Sequence, residues 1–319
     1  MAAYIIRRVL VNVLVFMVIS IGIFVLVRLA PGDPVRMMVD PEQMRGGGAA
    51  FIEAKRRELG LDQPVVAQYG HWLAGALRGD LGYSYVGHRP VGEVLGERVG
   101  PTLQLMGAAL AVALLVAVAL GVAAAVRRNT AVDYGATVLG LAAVSVPPFF
   151  LGIIGIFVFS LQLGLLPSAG MTTPGDGGPL DQLQHLVLPG LILAFVTAGP
   201  FTRYVRGGLV DELGADYVRT AEAKGASPAR VVLRHALRNS LIPLITVVMY
   251  QIPQMLAGAV VIEQVFAWPG MGQLAVSSIG QHDYPVIVGF ALYVAVLVLV
   301  CNLIADILYA AVDPRVSLR

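Results

Sequence analysis

The sequence predicts an all-α, polytopic membrane protein with six transmembrane helices and a folded extracytoplasmic segment after the first. Three observations predict it. The 319 residues are 57% hydrophobic and 13% charged, whereas a soluble domain carries roughly 25% charged residues. Charge-free apolar stretches recur at spanning length. The basic residues fall in alternate connections between them.

A span needs about 20 apolar residues to cross roughly 30 Å of hydrocarbon. Stretches free of Asp, Glu, Lys and Arg are Val9–Val27, Thr102–Val126, Tyr134–Leu166, Leu186–Thr202, Leu241–Ile262 and Tyr284–Ala305. The third has 33 residues, with Pro147-Pro148 near its middle. Charge asymmetry decides its count. Arg7 and Arg8 precede the first span, Arg127 and Arg128 follow the second, and Arg315 and Arg319 follow the sixth. Arg203, Arg206, Arg219, Lys224, Arg230, Arg234 and Arg238 lie between the fourth and fifth. Connections 167–185 and 263–283 contain no Lys or Arg. One long third span, tilted or kinked at the proline pair, puts every basic cluster on one side, as the positive-inside rule requires. Both termini are then cytoplasmic.

The chain divides into a first span (1–30), an extracytoplasmic segment (31–101) and a five-span domain (102–319) that contains a cytoplasmic connection, 203–240. The external segment holds eight basic and nine acidic residues; connections beyond about 60 residues translocate largely regardless of charge. Phe51–Leu59 and Gln68–Leu77 read as helices, the second with Tyr69, Trp72, Leu73 and Ala76 at helical spacing. Gly46-Gly47-Gly48 is a break between pieces. The first apolar run is expected to stay as a span, since no Ala-x-Ala site follows it before Pro31.

Several chemistries lack their parts. A phosphate-binding loop needs Gly-Lys followed by Ser or Thr, yet Lys55 and Lys224 both follow alanine. The five histidines show no pair at ligand spacing, and neither His-Glu-x-x-His nor Gly-x-Ser-x-Gly occurs. Net charge is +2, which gives no electrostatic case for nucleic acid. Cys301 is the only cysteine, so no internal disulfide forms. Catalysis, a metal site and a cofactor on this chain are not expected.

The 203–240 connection is longer than joining two spans requires. Asp216 is placed to cap a short helix, and Lys224-Gly225 suits its C-terminal end. Ser227 is an N-cap followed by Pro228 at the favoured first position. Arg230, Arg234 and Arg238 then form a stripe, with Val232, Leu233, Ala236 and Leu237 largely elsewhere on the circumference. Two readings fit: a rigid docking element, or a basic helix resting on anionic headgroups.

Polar residues within apolar spans are expensive and often functional. Val247, Gln251, Gln254 and Gly258 share one face of the fifth span, which is read as a pathway face or as a helix-packing face. Asn302, Asp306 and Tyr309 share a face of the sixth. Glu263 closes the outer end of the fifth span just before Trp268. It is read as part of a lid or receptor contact, with Trp268 and Asp283, or as a solvated charge at headgroup level.

Arg219-Thr220-Ala221, three residues, then Gly225 resembles Glu-Ala-Ala-x-x-x-Gly, the cytoplasmic loop signature of ABC importer permeases. Arg219 stands where that signature has glutamate and Thr220 where it has the first alanine, as in the dipeptide and oligopeptide branch. His235-Ala236-Leu237-Arg238 replaces the downstream Ile-x-Leu-Pro. Four more segments are similar to that branch. They are Pro31-Gly32-Asp33-Pro34; Leu59-Gly60-Leu61-Asp62-Gln63-Pro64, leading to Gln68-Tyr69 and Gly79-Asp80-Leu81-Gly82; Trp268-Pro269-Gly270-Met271-Gly272, followed by Asp283-Tyr284-Pro285; and Asp313-Pro314-Arg315. The likeness covers essentially the whole chain, and the long external segment is that of the B-type subunit.

The resemblance implies the type I importer permease fold in a bacterial cytoplasmic membrane. It also implies a C-type permease subunit as heterodimer partner, two ABC ATPase subunits or one fused ATPase holding the ATP and Mg, and an extracytoplasmic substrate-binding protein. Asp216, Arg219, Thr220, Ala221, Lys224, Gly225 and Ser227 would form the coupling loop. Val247, Gln251, Gln254, Gly258 and Asn302 would line the peptide pathway. Importers of nickel, glutathione or oligosaccharide share these motifs. A self-contained channel or secondary transporter needs no such loop, and a membrane enzyme or assembly factor needs paired reactive side chains at span depth, which the sequence lacks.

Overall fold

The computed structural model describes residues 2–29, 53–54, 57 and 62–312. Their secondary structure is helical apart from two isolated bridges, Tyr83–Pro90 and Thr173–Asp176. In chain order the helices are α1 (Ala2–Leu29), α2 (Val65–Leu77), α3 (Val91–Val126), α4 (Ala131–Ser145) and α5 (Pro148–Gly155). A π-helical turn, Ile156–Gln162, prolongs α5. There follow α6 (Pro179–Leu213), α7 (Asp216–Ala223), a composite α8 (Pro228–Arg230, π-helical Val231–Ala236, Leu237–Ser240), α9 (Ile242–Val265), α10 (Met271–Gly280) and α11 (Tyr284–Val312).

Five of these, α1, α3, α6, α9 and α11, are long and apolar enough to span a bilayer, and α4 with α5 forms a sixth crossing when counted as one broken span. The kink expected at the proline pair is present, and it is sharp: α4 and α5 meet at 100°. Consecutive prolines explain the break. A residue preceding proline is pushed out of the α region, and here two successive residues are, Val146 at ψ 124° and Pro147 at ψ 135°.

Two other boundaries move. α3 begins at Val91, ahead of the expected Thr102, and runs through Pro101. α6 continues past Thr202 to Leu213, so the first part of the 203–240 connection is helix. The 31–34, 46–48 and 313–315 motifs and most of the 51–59 helix lie outside the described residues.

The chain forms two compact units. In the unit of residues 6–98 and 274–299, the expected helix at 68–77 is found as α2, packed on α1. Tyr69 and Trp72 set their rings 5.5 and 5.8 Å from that of Phe24. The Tyr69 hydroxyl lies 2.8 Å from Ser20 Oγ, and Arg28 donates to Gln68 Oε1 at 2.7 Å. Earlier on α1, Leu10, Leu14 and Val18 are exposed at every fourth position. Such a face is stable against lipid, where exposed apolar area costs nothing.

In the unit of residues 1–5, 99–273 and 300–319, small residues set the packing. Ala109, Ala113 and Ala117 are buried at every fourth position of α3. Gly121 continues the row, and a Cβ there would fall 2.7 Å from Val205 on α6. α6 presents Leu193, Ala194, Thr197, Ala198, Phe201, Val205 and Leu209 to the interior. Without a hydrophobic drive between helices in lipid, such close backbone approach is the main source of their cohesion.

Candidate functional site

The segment after α6 is built as a seated module. α7 starts at Asp216 itself, with Ala215 as N-cap and no side-chain capping bond, so Asp216 does not cap as expected. Its exposed carboxylate lies 3.6 Å from Arg219 one turn along. The C-terminal end follows the sequence expectation closely. Lys224 is the C-cap, and Gly225 takes φ +81°. Gly225 N–H donates to Glu222 C=O at 2.8 Å and Ala226 N–H to Ala221 C=O at 3.1 Å. These are the two bonds of a Schellman motif. Ser227 and Pro228 then start α8 as N-cap and first residue.

α8 departs from the expected regular helix. Val231–Ala236 is π-helical, a form found mostly as single turns and frequently at functional sites. The wider turn explains the pattern of burial. Val231 and Ala236, five apart, are both buried, while Leu233 faces outward with Arg230, Arg234 and Arg238. The basic stripe survives; the apolar face moves to Val231, Ala236 and Ser240.

That apolar face seats the module. Val218 of α7 and Val231 and Ala236 of α8 join Leu209 of α6 and Ala125 of α3 in one buried cluster, with Ala221 and Ala226 packed against it. Arg219, Thr220, Lys224, Gly225 and Ser227 remain exposed. At the rim, the Tyr217 hydroxyl donates to Glu212. Burial and that carboxylate hold the phenol above its ordinary range. The geometry is a rigid knob fixed to the ends of two long helices, presenting its charged face outward.

A second constellation surrounds Glu263, whose side chain has 0% exposure. Thr102 Oγ1 donates to its Oε1 at 2.6 Å, and the N–H groups of Gly272 and Gln273 donate to Oε2 at 2.7 and 3.1 Å. The carboxylate thus satisfies first-turn amides of α10, which no intrahelical partner can reach, and places its charge at the favourable end of the helix dipole. Thr102 Oγ1 also accepts Met271 N–H at 2.8 Å. Trp268 is equally buried, and its Nε1–H donates to Pro101 C=O at 3.0 Å. The spacing of Trp268-Pro269-Gly270-Met271-Gly272 follows. A Cβ on Gly270 would lie 2.1 Å from Glu263 Oε1, and one on Gly272 2.5 Å from Val260 Cα.

In the other unit, Asp283 is 3% exposed; it accepts Ser84 Oγ–H at 2.5 Å and Tyr85 N–H at 3.0 Å. The solvated-charge reading of Glu263 is therefore corrected. Glu263, Trp268 and Asp283 are each buried and engaged within the chain.

The whole chain matches known sequences. Residues 117–318 match the model of the binding-protein-dependent transport system inner membrane component, and residues 1–106 match the N-terminal membrane component of the same systems. The chain belongs to this family. The oligopeptide transport system permease protein AppB of Bacillus subtilis is 43% identical, with 99% of this chain and 100% of AppB covered. A putative peptide permease protein of Brucella suis is 40% identical over 99% of both chains, and the glutathione transport system permease protein GsiC of Escherichia coli is 40% identical over the full length of both.

This permease is thus the inner-membrane, multi-pass and non-catalytic component of an ABC importer, working with a binding protein and an ATPase held on other chains. The exposed knob at 216–240 and the pathway candidates lie in the same unit of the permease. On α9, Leu244, Val248, Met255, Leu256, Ala259 and Ile262 are buried. Val247 and Gln251 lie half-buried at the edge of that face, and Gln254 is exposed. Asn302 of α11 is half-buried, while the side chains of Gly258 and Tyr309 lie outside those described. Sequence reading missed Thr102 and Asp133. Asp133 is 3% exposed and ion-paired with Arg206, which the sequence shows only as one member of a basic cluster. The one local signal for Asp133 is a carboxylate directly against a 33-residue charge-free run.

Proposed function

We propose that the chain is the B-type subunit of a peptide importer and that the 216–227 segment couples partner ATPases to the pathway. The carrying observation is the knob itself: a Schellman-capped α7 and a π-bulged α8 seated on α3 and α6 by one buried cluster, with Arg219, Thr220, Lys224 and Gly225 facing outward. The peptide substrate is supported by the AppB and Brucella suis relatives, and glutathione, itself a small peptide, by GsiC. A C-type permease completes the pathway, and two ATPase subunits, or one fused chain, bind the knobs. Gln251 and Gln254, on the Val247 face, and Asn302 offer amide groups. That chemistry suits peptide backbones of varied sequence and leaves selection to the binding protein.

Copurification tests the assembly. A tagged chain is expected to bring down an ATPase and a second permease, and cells lacking the chain are expected to lose ATP-dependent peptide uptake. A purified chain that transports peptide alone in liposomes contradicts the reading.

Both termini and the knob are placed in the cytoplasm on the strength of the basic clusters. With native Cys301 buried, a cysteine at exposed Arg78 is expected to react with an impermeant thiol reagent on intact cells, and one at exposed Ala223 only after permeabilisation. The reverse pattern contradicts the orientation.

A further inference from the structure

Among the buried charged groups of the described residues, Asp133 lies on the seam between two packed helices. Asp133 sits in the first turn of α4, 3% exposed within an apolar helix pair. Arg206 of α6 reaches it with two parallel bonds, Nε to Oδ1 at 2.5 Å and a terminal nitrogen to Oδ2 at 2.7 Å. Asn129 N–H adds a third bond to Oδ2 at 2.9 Å. Bidentate guanidinium–carboxylate pairs fix orientation as well as distance. The pair is therefore a stiff link between α6 and the first half of the broken span.

Its position along α6 gives it a use. Leu209, one turn beyond Arg206, is a fully buried member of the cluster that seats Val218, Val231 and Ala236 of the knob. Toward the other end of the same seam, α4 and α6 touch with no side chain between them, since a Cβ on Gly199 would fall 2.8 Å from Gly140 C=O. Leu209, Arg206 and Gly199 thus lie in sequence along α6, the first meeting the knob and the other two meeting α4. Beyond α4 lies the 100° break at Val146-Pro147, a joint at which transmitted motion changes the angle between two half-helices.

We propose that Asp133 and Arg206 are positioning residues of the transport cycle: they transmit displacement of the coupling knob on α6 to the broken span α4–α5. The inference rests on the importer reading given above. It predicts a defect in coupling and not in assembly. In proteoliposomes carrying the complete complex with its binding protein, Asp133→Asn and Arg206→Gln are expected to keep ATP hydrolysis within about twofold of wild type while peptide imported per ATP falls about tenfold.

A second replacement guards against misfolding. Asp133→Leu combined with Arg206→Met exchanges the pair for apolar groups, a change that buried ion pairs often tolerate in stability; it is expected to assemble and remain uncoupled. Normal peptide-per-ATP ratios in both variants would overturn the proposal. So would failure of both to assemble, since the pair would then be a folding requirement. Absence of ATP-driven uptake by the wild-type complex would contradict the importer reading instead, a result read from a different sample.

Discussion

Gly225→Asp is expected to leave the chain inserted at normal abundance and to abolish ATP-dependent uptake. Gly225 holds φ +81°, where a Cβ is penalised by roughly 1 kcal/mol or more. Steric crowding is not the cause, since no described residue lies within 4 Å of a Cβ built there. Two other effects add to the backbone cost. An acidic group lands at the C-terminal end of α7, where the helix dipole disfavours it by roughly 0.3–1 kcal/mol. The new side chain also occupies open space on the exposed side of the knob, where the proposed ATPase groove must close.

Relief of the strain requires residue 225 to leave positive φ, which breaks the Gly225–Glu222 and Ala226–Ala221 bonds and redirects α8 relative to α7. The spans do not depend on that turn, so insertion survives. Coupling does depend on it, because swinging a pathway from 1:99 to 99:1 takes about 5.5 kcal/mol of differential binding, which only a firmly seated contact delivers. Uptake of labelled peptide, normalised to membrane-bound chain, checks the outcome. Gly225→Val is expected to be at least as damaging, a β-branched residue being the poorest occupant of positive φ.

Glu263→Ala is expected to be the most destabilising single truncation in the chain. It strands the Gly272 and Gln273 amides and the Thr102 hydroxyl in a buried site, at about 1–3 kcal/mol for each buried group left unsatisfied. The expected total is several kcal/mol, seen as a markedly lower temperature of half-inactivation in detergent. Gly270→Ala is expected to match it by the opposite route, by forcing a methyl to within 2.1 Å of Glu263 Oε1. The double variant is the discriminating measurement. Once the carboxylate is gone the methyl has space, so Glu263→Ala with Gly270→Ala is expected to be less damaging than the sum of the two. Simple additivity would contradict the contact, because interacting neighbours depart from additivity and independent sites do not.

These two sites show what the sequence made legible. The knob could be read because its signals are local: a glycine after a helix end, then Ser-Pro, are separated by one or two residues and act through backbone geometry alone. The composite α8 was not legible, because a π turn is selected by how Val231 and Ala236 meet Leu209 and Ala125, and helical spacing assumes the regular period. Asp216 was assigned as a cap on residue type, yet Ala215 holds that position and the carboxylate turns to Arg219.

The Glu263 hub was partly visible. The Trp-Pro-Gly-Met-Gly spacing marked a special loop, but the acceptor its glycines accommodate comes from the end of α9, and its bridging hydroxyl comes from Thr102, 161 residues away. The Asp133–Arg206 pair spans 73 residues. Charge counting used Arg206 only as part of a basic cluster and carried no information on its contact with Asp133. The proline pair announced a break but not its 100° angle, which depends on the helices that α4 and α5 pack against.

The central claim is that energy enters this permease through the knob and that the knob is a separable part of the machine. The most direct test is peptide uptake and ATP hydrolysis measured in the same proteoliposomes, containing this chain, its partner permease, the ATPase and the peptide-loaded binding protein, with wild-type or Gly225→Asp permease. The account predicts peptide accumulation and binding-protein-stimulated hydrolysis with the wild type. With the variant it predicts no accumulation, and hydrolysis that no longer responds to the binding protein or disappears as the ATPase detaches. Accumulation at the wild-type rate and wild-type stimulation by a fully assembled Gly225→Asp complex would contradict it.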